Sequence, residues 1–342
     1  MTTRERMLIA LEGGTPDQTP LSIYNWMMKE PYLDQWRPIL DAGLGVCQHC
    51  NVVKYVEHGV LDREEEKIVG NDTFRIFTKA TPVGTLRRIL RNGWHHEDWI
   101  KTPEDYKIRQ WMVENTELIP QYEEFDKAVA LAGDYGVPVV TGSRTPAMSI
   151  NIDWAGTTQF CLDLAAGVDE LYELYEVQKK QFLHEVNLIA AGPGRFVKWF
   201  ENLTIDMLGP RRYDELLMSV YHETIPLLEA SGKRVMVHYD GELAVIADRI
   251  AAAPFHIVES LTEPPEGNML YDECRRVWPN KVLWGNVNVD LYYRPESVLK
   301  EALWAKRERA GKRGFVFEIS EQLPTNWSQC IPVMLQALEE LQ

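Results

Sequence analysis

A chain of 342 residues with 45% hydrophobic composition can bury a large core, either as two small domains or as one large α/β barrel. A formal net charge of -15, with no local run of lysine and arginine to offset it, leaves no extended basic face for a phosphate backbone and excludes nucleic acid as a partner. The opening MTTRERMLIALEGG has no apolar leader core, no membrane-length apolar run follows, and five cysteines are too sparse for a disulfide framework. The expectation is a cytoplasmic protein with reduced thiols and no membrane segment.

In chain order, eight apolar runs rich in β-branched and aromatic residues read as strands: LSIYNW from Leu21, LGVCQH from Leu44, VPVVTG from Val137, RFVKWFE from Arg195, RVMVHY from Arg234, FHIVES from Phe255, KVLWGN from Lys281 and GFVFEI from Gly314. The last five alternate with helical periodicity over Pro210 to Ala230, Gly241 to Ala252, Leu270 to Val277, Pro295 to Ala310 and Trp327 to Leu341. Eight strands, each followed by a helix, predict a (β/α)₈ TIM barrel in one domain over residues 1–342. An insertion after the second strand, residues 51–101, interrupts the rhythm. Its pieces VVKYVEHGV, DTFRIFTKATPVGTLRRIL and GWHHEDWI read as β-hairpins laid over one end of the barrel. A helix then starts with Thr102 as N-cap and Pro103 in first position. A doubly wound sheet shares the alternation, but AGPGRF, Ala191 to Phe196, precedes its strand instead of following it, so a dinucleotide loop fails on context.

Barrel chemistry gathers at the C-terminal ends of the strands. That rule selects Asn25 and Trp26, His49 and Cys50, Ser143, Glu201 and Asn202, His238 and Asp240, Glu259, Asn286 and Asn288, and Glu318 with Glu321. Three consecutive strands end in Glu201, His238 and Glu259, and an imidazole with carboxylates suits Zn²⁺ with one position open to water or substrate. A histidine that only finishes its strand and bonds a backbone carbonyl is the competing account. CQHC, Cys47 to Cys50, is a single CxxC without a second pair and reads as buried thiols.

The segments TTRERMLIALEGGTPDQTPL, ENLTIDMLGPRRYDELL, HYDGELAVIADRI and IVESLTEPPEGNM running into KVLWGNV together resemble the uroporphyrinogen decarboxylase superfamily across most of the chain, least over the insertion. The resemblance implies a (β/α)₈ barrel and two kinds of enzyme: cofactor-free porphyrinogen decarboxylases, and zinc methyltransferases that exchange methyl groups with a corrinoid protein. The decarboxylases carry an arginine-rich segment after the first strand. Here SIYNWMMKEPYLDQW, Ser22 to Trp36, holds only Lys29, and an octacarboxylate would meet no guanidinium forks there. Methyltransferases acting on coenzyme M resemble the chain at His238 but continue with cysteines, where this sequence has Asp240 and then Glu259. Oxygen ligands leave a harder, more Lewis-acidic ion than thiolates, which favours an oxygen-bound methyl group.

The resemblance is therefore nearest to the first methyltransferase of O-demethylase systems. It implies Zn²⁺ on Glu201, His238 and Glu259, with Glu321, Asp240 or a water as alternatives to Glu201. Asp240 or Tyr239 would orient a ligand or manage a proton. Tyr24, Asn25 and Trp26 would line a ring pocket, with Asn202, Asn286 and Glu321 as further substrate contacts. The expected partners are a corrinoid (cobalamin) protein and a small-molecule methyl donor, with a homodimer left open. A metal-free decarboxylase of a smaller acid and a non-catalytic binding barrel are the alternatives.

Overall fold

A computed structural model describes residues 1–29, 33–203, 205–320 and 322–341, with Leu33 described by its backbone alone. The eight expected strands are all present: β1 (Leu21–Tyr24), β2 (Leu44–Cys50), β3 (Gly136–Gly142), β4 (Phe196–Trp199), β5 (Arg234–His238), β6 (Ile257–Leu261), β7 (Val282–Asn286) and β8 (Phe315–Glu318). Each pairs in parallel with its sequence neighbour, and β1 closes the cylinder against β8 through Leu21↔Phe317 and Ser22↔Glu318. The fold is a (β/α)₈ barrel. Its strands are buried on both faces, one against the filled interior and one against the helices, and so read as continuous apolar runs instead of alternating ones.

The predicted helices form close to their expected bounds, for example Tyr271–Val277, Glu296–Ala310 and Trp327–Glu339. The helix Pro103–Glu114 begins at its proline, and Asp105 accepts from the Thr102 backbone N–H at 2.9 Å. The insertion differs in detail from its sequence reading. Val53–Glu57 pairs antiparallel with the distant Thr116–Pro120, and the hairpins form one four-stranded antiparallel sheet from Leu61–Val69 through Asp72–Thr81 and Gly84–Arg91 to Trp94–Glu97. Pairing across some sixty residues leaves no local turn signal in the sequence to announce it.

Two local devices shape the strand ends. A Cβ on Gly285 would stand 2.4 Å from the Tyr271 hydroxyl, and that hydroxyl donates within reach of both the Leu261 and Asn286 carbonyls, at 3.1 and 2.9 Å. Tyr271 thereby ties the end of β6 to the end of β7. In β6 the register shifts between Glu259 and Leu261, and Ser260 takes φ 65°, a left-handed conformation that costs a non-glycine residue about 1–3 kcal/mol. Among the described residues no helix is long and apolar enough to cross a membrane.

Candidate active site at the barrel mouth

His238 and Glu259 are register partners on β5 and β6, so their side chains leave the sheet at the same level. His238 Nδ1 lies 2.8 Å from Glu259 Oε2. Lys198 Nζ, from β4, forms an ion pair with Glu259 Oε1 at 2.8 Å, and the Tyr24 hydroxyl, from β1, donates to the same oxygen. All four side chains are buried. Burial pushes the Glu259 carboxyl upward, but Lys198 and His238 more than cancel it and hold the group well below the ordinary carboxylate range. Burial and the Glu259 charge push Tyr24 the other way, so it stays a neutral donor.

Aromatic rings surround this network. Tyr24 stacks on Trp26 with centroids 4.3 Å apart, Trp26 stacks on His49 at 4.9 Å, and Phe200 lies 5.3 Å from His49 and 6.0 Å from His238. Burial, reinforced by Lys198, pushes His49 well below the usual imidazole range and keeps it neutral. Trp26, His49 and Phe200, with Cys50 and Thr141, line a cavity of about 350 Å³ on the β1–β4 side of the mouth. A second cavity, of about 560 Å³, opens over β4 to β8 and is lined by Asp206, Asp240, Glu242, Glu266 and Asn286 among others.

The predicted site residues divide between these places. His238 and Glu259 meet, Trp26 lines the aromatic cup, and Asp240 and Asn286 line the larger cavity. Tyr24 serves Glu259 from below the cup, and the Asn25 side-chain carbonyl accepts from the His49 backbone N–H at 3.2 Å. Asn202, at φ 48°, accepts from Arg144 at 2.7 Å. Tyr239 points into the helical layer, its hydroxyl 2.8 Å from that of Tyr221 and 3.2 Å from that of Tyr213. Glu321 lies outside the described residues.

The trio of Glu201, His238 and Glu259 is not brought together as a ligand set: among the described residues no three histidine, cysteine, aspartate or glutamate side chains are grouped so that they could hold a metal. Glu201 accepts from Tyr221 at 2.8 Å and from the Thr145 hydroxyl at 2.9 Å, while both Glu259 oxygens are engaged as above. Glu259 instead holds His238 through Nδ1, which fixes the orientation of the ring at the end of β5.

Lys198 was the residue that strand-end reasoning passed over. Its signal was a lone cation inside the apolar run FVKW, one residue before the strand ends. Glu318 gains a role as well. Its Oε2 accepts from Ser22 at 2.5 Å and from the Trp284 indole at 2.9 Å, and burial, aided by the Glu259 charge, pushes the carboxyl well above the usual carboxylate range.

Neither a family model nor a curated protein matches the chain. Among solved structures it is similar to a methyltransferase from Methanosarcina mazei, at 13% identity and a TM-score of 0.61 over 100% of this chain and 99% of that one. It is also similar, at 10% identity and a TM-score of 0.45, to a B12-independent methionine synthase from Shewanella sp. W3-18-1, over 90% of this chain and 84% of that one. The first likeness extends along the whole of both chains, and what it shows is the barrel fold.

Proposed function

We propose that the protein is a methyltransferase that takes a methyl group from a methoxylated aromatic donor and passes it to the cobalt(I) of a corrinoid protein docked over the barrel mouth. The observation that carries this reading is the ring array of Trp26, His49 and Phe200 beside an imidazole that Glu259 holds by Nδ1. The similarity of the chain to the M. mazei methyltransferase supports it.

In such a reaction the methyl carbon–oxygen bond breaks, the carbon bonds to the attacking cobalt, and the oxygen keeps the electron pair. The corrinoid supplies the nucleophile. Stacking on Trp26 and Phe200 would hold the donor ring and keep water from the leaving oxygen. A protonated His238 can then hand its Nε2 proton to that oxygen and become neutral imidazole, with the Glu259 carboxylate balancing the imidazolium charge through Nδ1 beforehand. Lys198 and Tyr24 keep Glu259 ionised and fixed. A Zn²⁺ held by His238 Nε2 with Asp240 would take the place of that proton and would supply Lewis-acid stabilisation of the same oxygen instead. A decarboxylase reading is disfavoured by charge, since the larger cavity carries four carboxylates and no lysine or arginine among its described lining residues.

The test is a donor panel assayed with reduced corrinoid protein, following cobalt alkylation by absorbance. Methoxylated aromatics should react, and His238→Ala should lose roughly 10²–10⁴-fold in rate. Turnover of a carboxylic acid without corrinoid, or an unchanged rate in His238→Ala, would overturn the reading.

A further inference from the structure

The aromatic cup carries no charge among its described lining residues. Trp26, Phe200, Asn51 and Thr141 do not ionise, His49 stays neutral, and burial pushes the Cys50 thiol up to about 11. Two cations lie close by, and both are committed elsewhere. Lys198 Nζ sits over the Phe200 ring, 4.4 Å from its centroid, but it is fully buried and paired with Glu259. Arg144, two residues past Gly142 on the cup wall, gives one nitrogen to Asp153 at 2.8 Å and another to Asn202 at 2.7 Å. A ring bearing a carboxylate would therefore leave water for a wall without a counter-charge, and an unpaired charge is costly to desolvate. The size of the cup limits its occupant as well. At about 350 Å³ it is near the lower end of the roughly 300–1,000 Å³ found for small-molecule pockets, room for one substituted ring.

The polar side of the cup is formed by Asn51, just past β2, and Thr141, on β3. The Thr141 hydroxyl lies 3.2 Å from the Cys50 carbonyl and closer still to Asn51 Oδ1, to which it donates. That contact uses the carbonyl end of the Asn51 amide, and its Nδ2 donates to no acceptor among the described residues. An ether or phenol oxygen on a ring held in the cup can accept from it. We propose that the cup selects an uncharged aromatic ring with oxygen substituents, Asn51 Nδ2 donating to one of those oxygens and setting the specificity. Resting on the methyl-transfer reading, the inference narrows the donor to a neutral methoxyarene and sets methoxylated aromatic acids aside.

Calorimetric titration of the full-length protein at neutral pH with 1,2-dimethoxybenzene, 3,4-dimethoxybenzoate and toluene tests the cup without requiring turnover. Salt at about 0.3 M screens the overall negative charge of the chain, so that a difference between the ligands reports on the cup itself. The neutral ether should bind roughly ten-fold or more tightly than the acid. Asn51→Ala should lower the affinity for the ether by about five-fold, the worth of one hydrogen bond, and leave toluene within about two-fold. Asn51 is exposed, so Asn51→Lys should also fold. By setting a cation on the rim it should close or reverse the gap between ether and acid, which a loss of packing would not do. Equal or tighter binding of the acid by the unmodified protein, an ether affinity unmoved by Asn51→Ala, or a gap unmoved by Asn51→Lys would overturn the assignment. If 1,2-dimethoxybenzene binds as expected but gives up no methyl group to reduced corrinoid protein, the methyltransferase reading falls while the selectivity stands. If the acid binds more tightly and is demethylated, the selectivity falls while that reading stands.

Discussion

Glu259, beneath the mouth, and Glu201, behind the end of β4, are the same side chain at the same complete burial, and their carboxyls are shifted in opposite directions. Around Glu259 stand a lysine and an imidazole, which outweigh the cost of burying the charge. The hydrogen-bond donors to Glu201 are neutral, Tyr221 and Thr145, the Arg144 charge acts on it only weakly, and burial wins: its carboxyl is pushed up to about 7. Burial therefore does not decide protonation here. The presence of a cation within hydrogen-bond reach does, and it separates a carboxylate paired with the His238 ring from a carboxyl that ties a loop to a helix.

The contrast can be broken most severely at Lys198. Lys198→Met leaves Glu259 buried without its ion pair, and should cost roughly 3–5 kcal/mol in denaturant unfolding together with most of the methyl-transfer rate. Retention of both stability and rate would mean that Lys198 does not hold Glu259 in its ionised state.

The pH dependence of stability sharpens the same comparison. Glu201 has a folded-state value above its unfolded one, so its contribution is fully present below about pH 4.5 and is lost as pH rises through about 7, a change of roughly 3 kcal/mol. Glu259 has a depressed value, so its contribution is present above about pH 4.5 and is lost as the solution is acidified. Glu201→Gln should flatten the fall toward alkaline pH, and Glu259→Gln the fall toward acid. Urea midpoints measured from pH 4 to 8 would show whether the two variants tilt the profile in opposite senses.

Smaller effects are expected further from the charge. Tyr24→Phe removes one neutral donor from a buried carboxylate and should reduce the rate by roughly ten-fold, with the loss in kcat. Trp26 is 39% exposed, so Trp26→Ala should leave folding intact and raise the KM for an aromatic donor about three- to ten-fold, the worth of one stacked ring. A change confined to kcat would remove Trp26 from the donor pocket.

The barrel was legible because each strand is enclosed on both faces and must be apolar along its length, which separates it cleanly from the helical segments between. The approach of His238 to Glu259 was legible for a related reason, since adjacent parallel strands ending in polar residues bring those residues to one level. What sequence could not give was the direction of each side chain beyond its strand. Glu201 and Tyr239 follow their strands by two and one residues, yet both turn into the layer between barrel and helices, where Tyr221 meets them. A metal trio inferred from spacing assumes that three neighbouring strand ends converge, and one bond to a helix tyrosine is enough to take a member away. Lys198 was missed because a cation within an apolar run carries no partner in the sequence; its partner stands on β6, sixty-one residues later.

The left-handed turn at Ser260 joins two parts of the mouth that otherwise have separate walls. Its hydroxyl accepts from the Asn286 amide, and its backbone is bonded directly to Glu259. One residue therefore sets both the level at which the Glu259 carboxylate leaves β6 and the seat of the Asn286 amide on β7, so a substitution that forbids its backbone conformation would disturb both strand ends together.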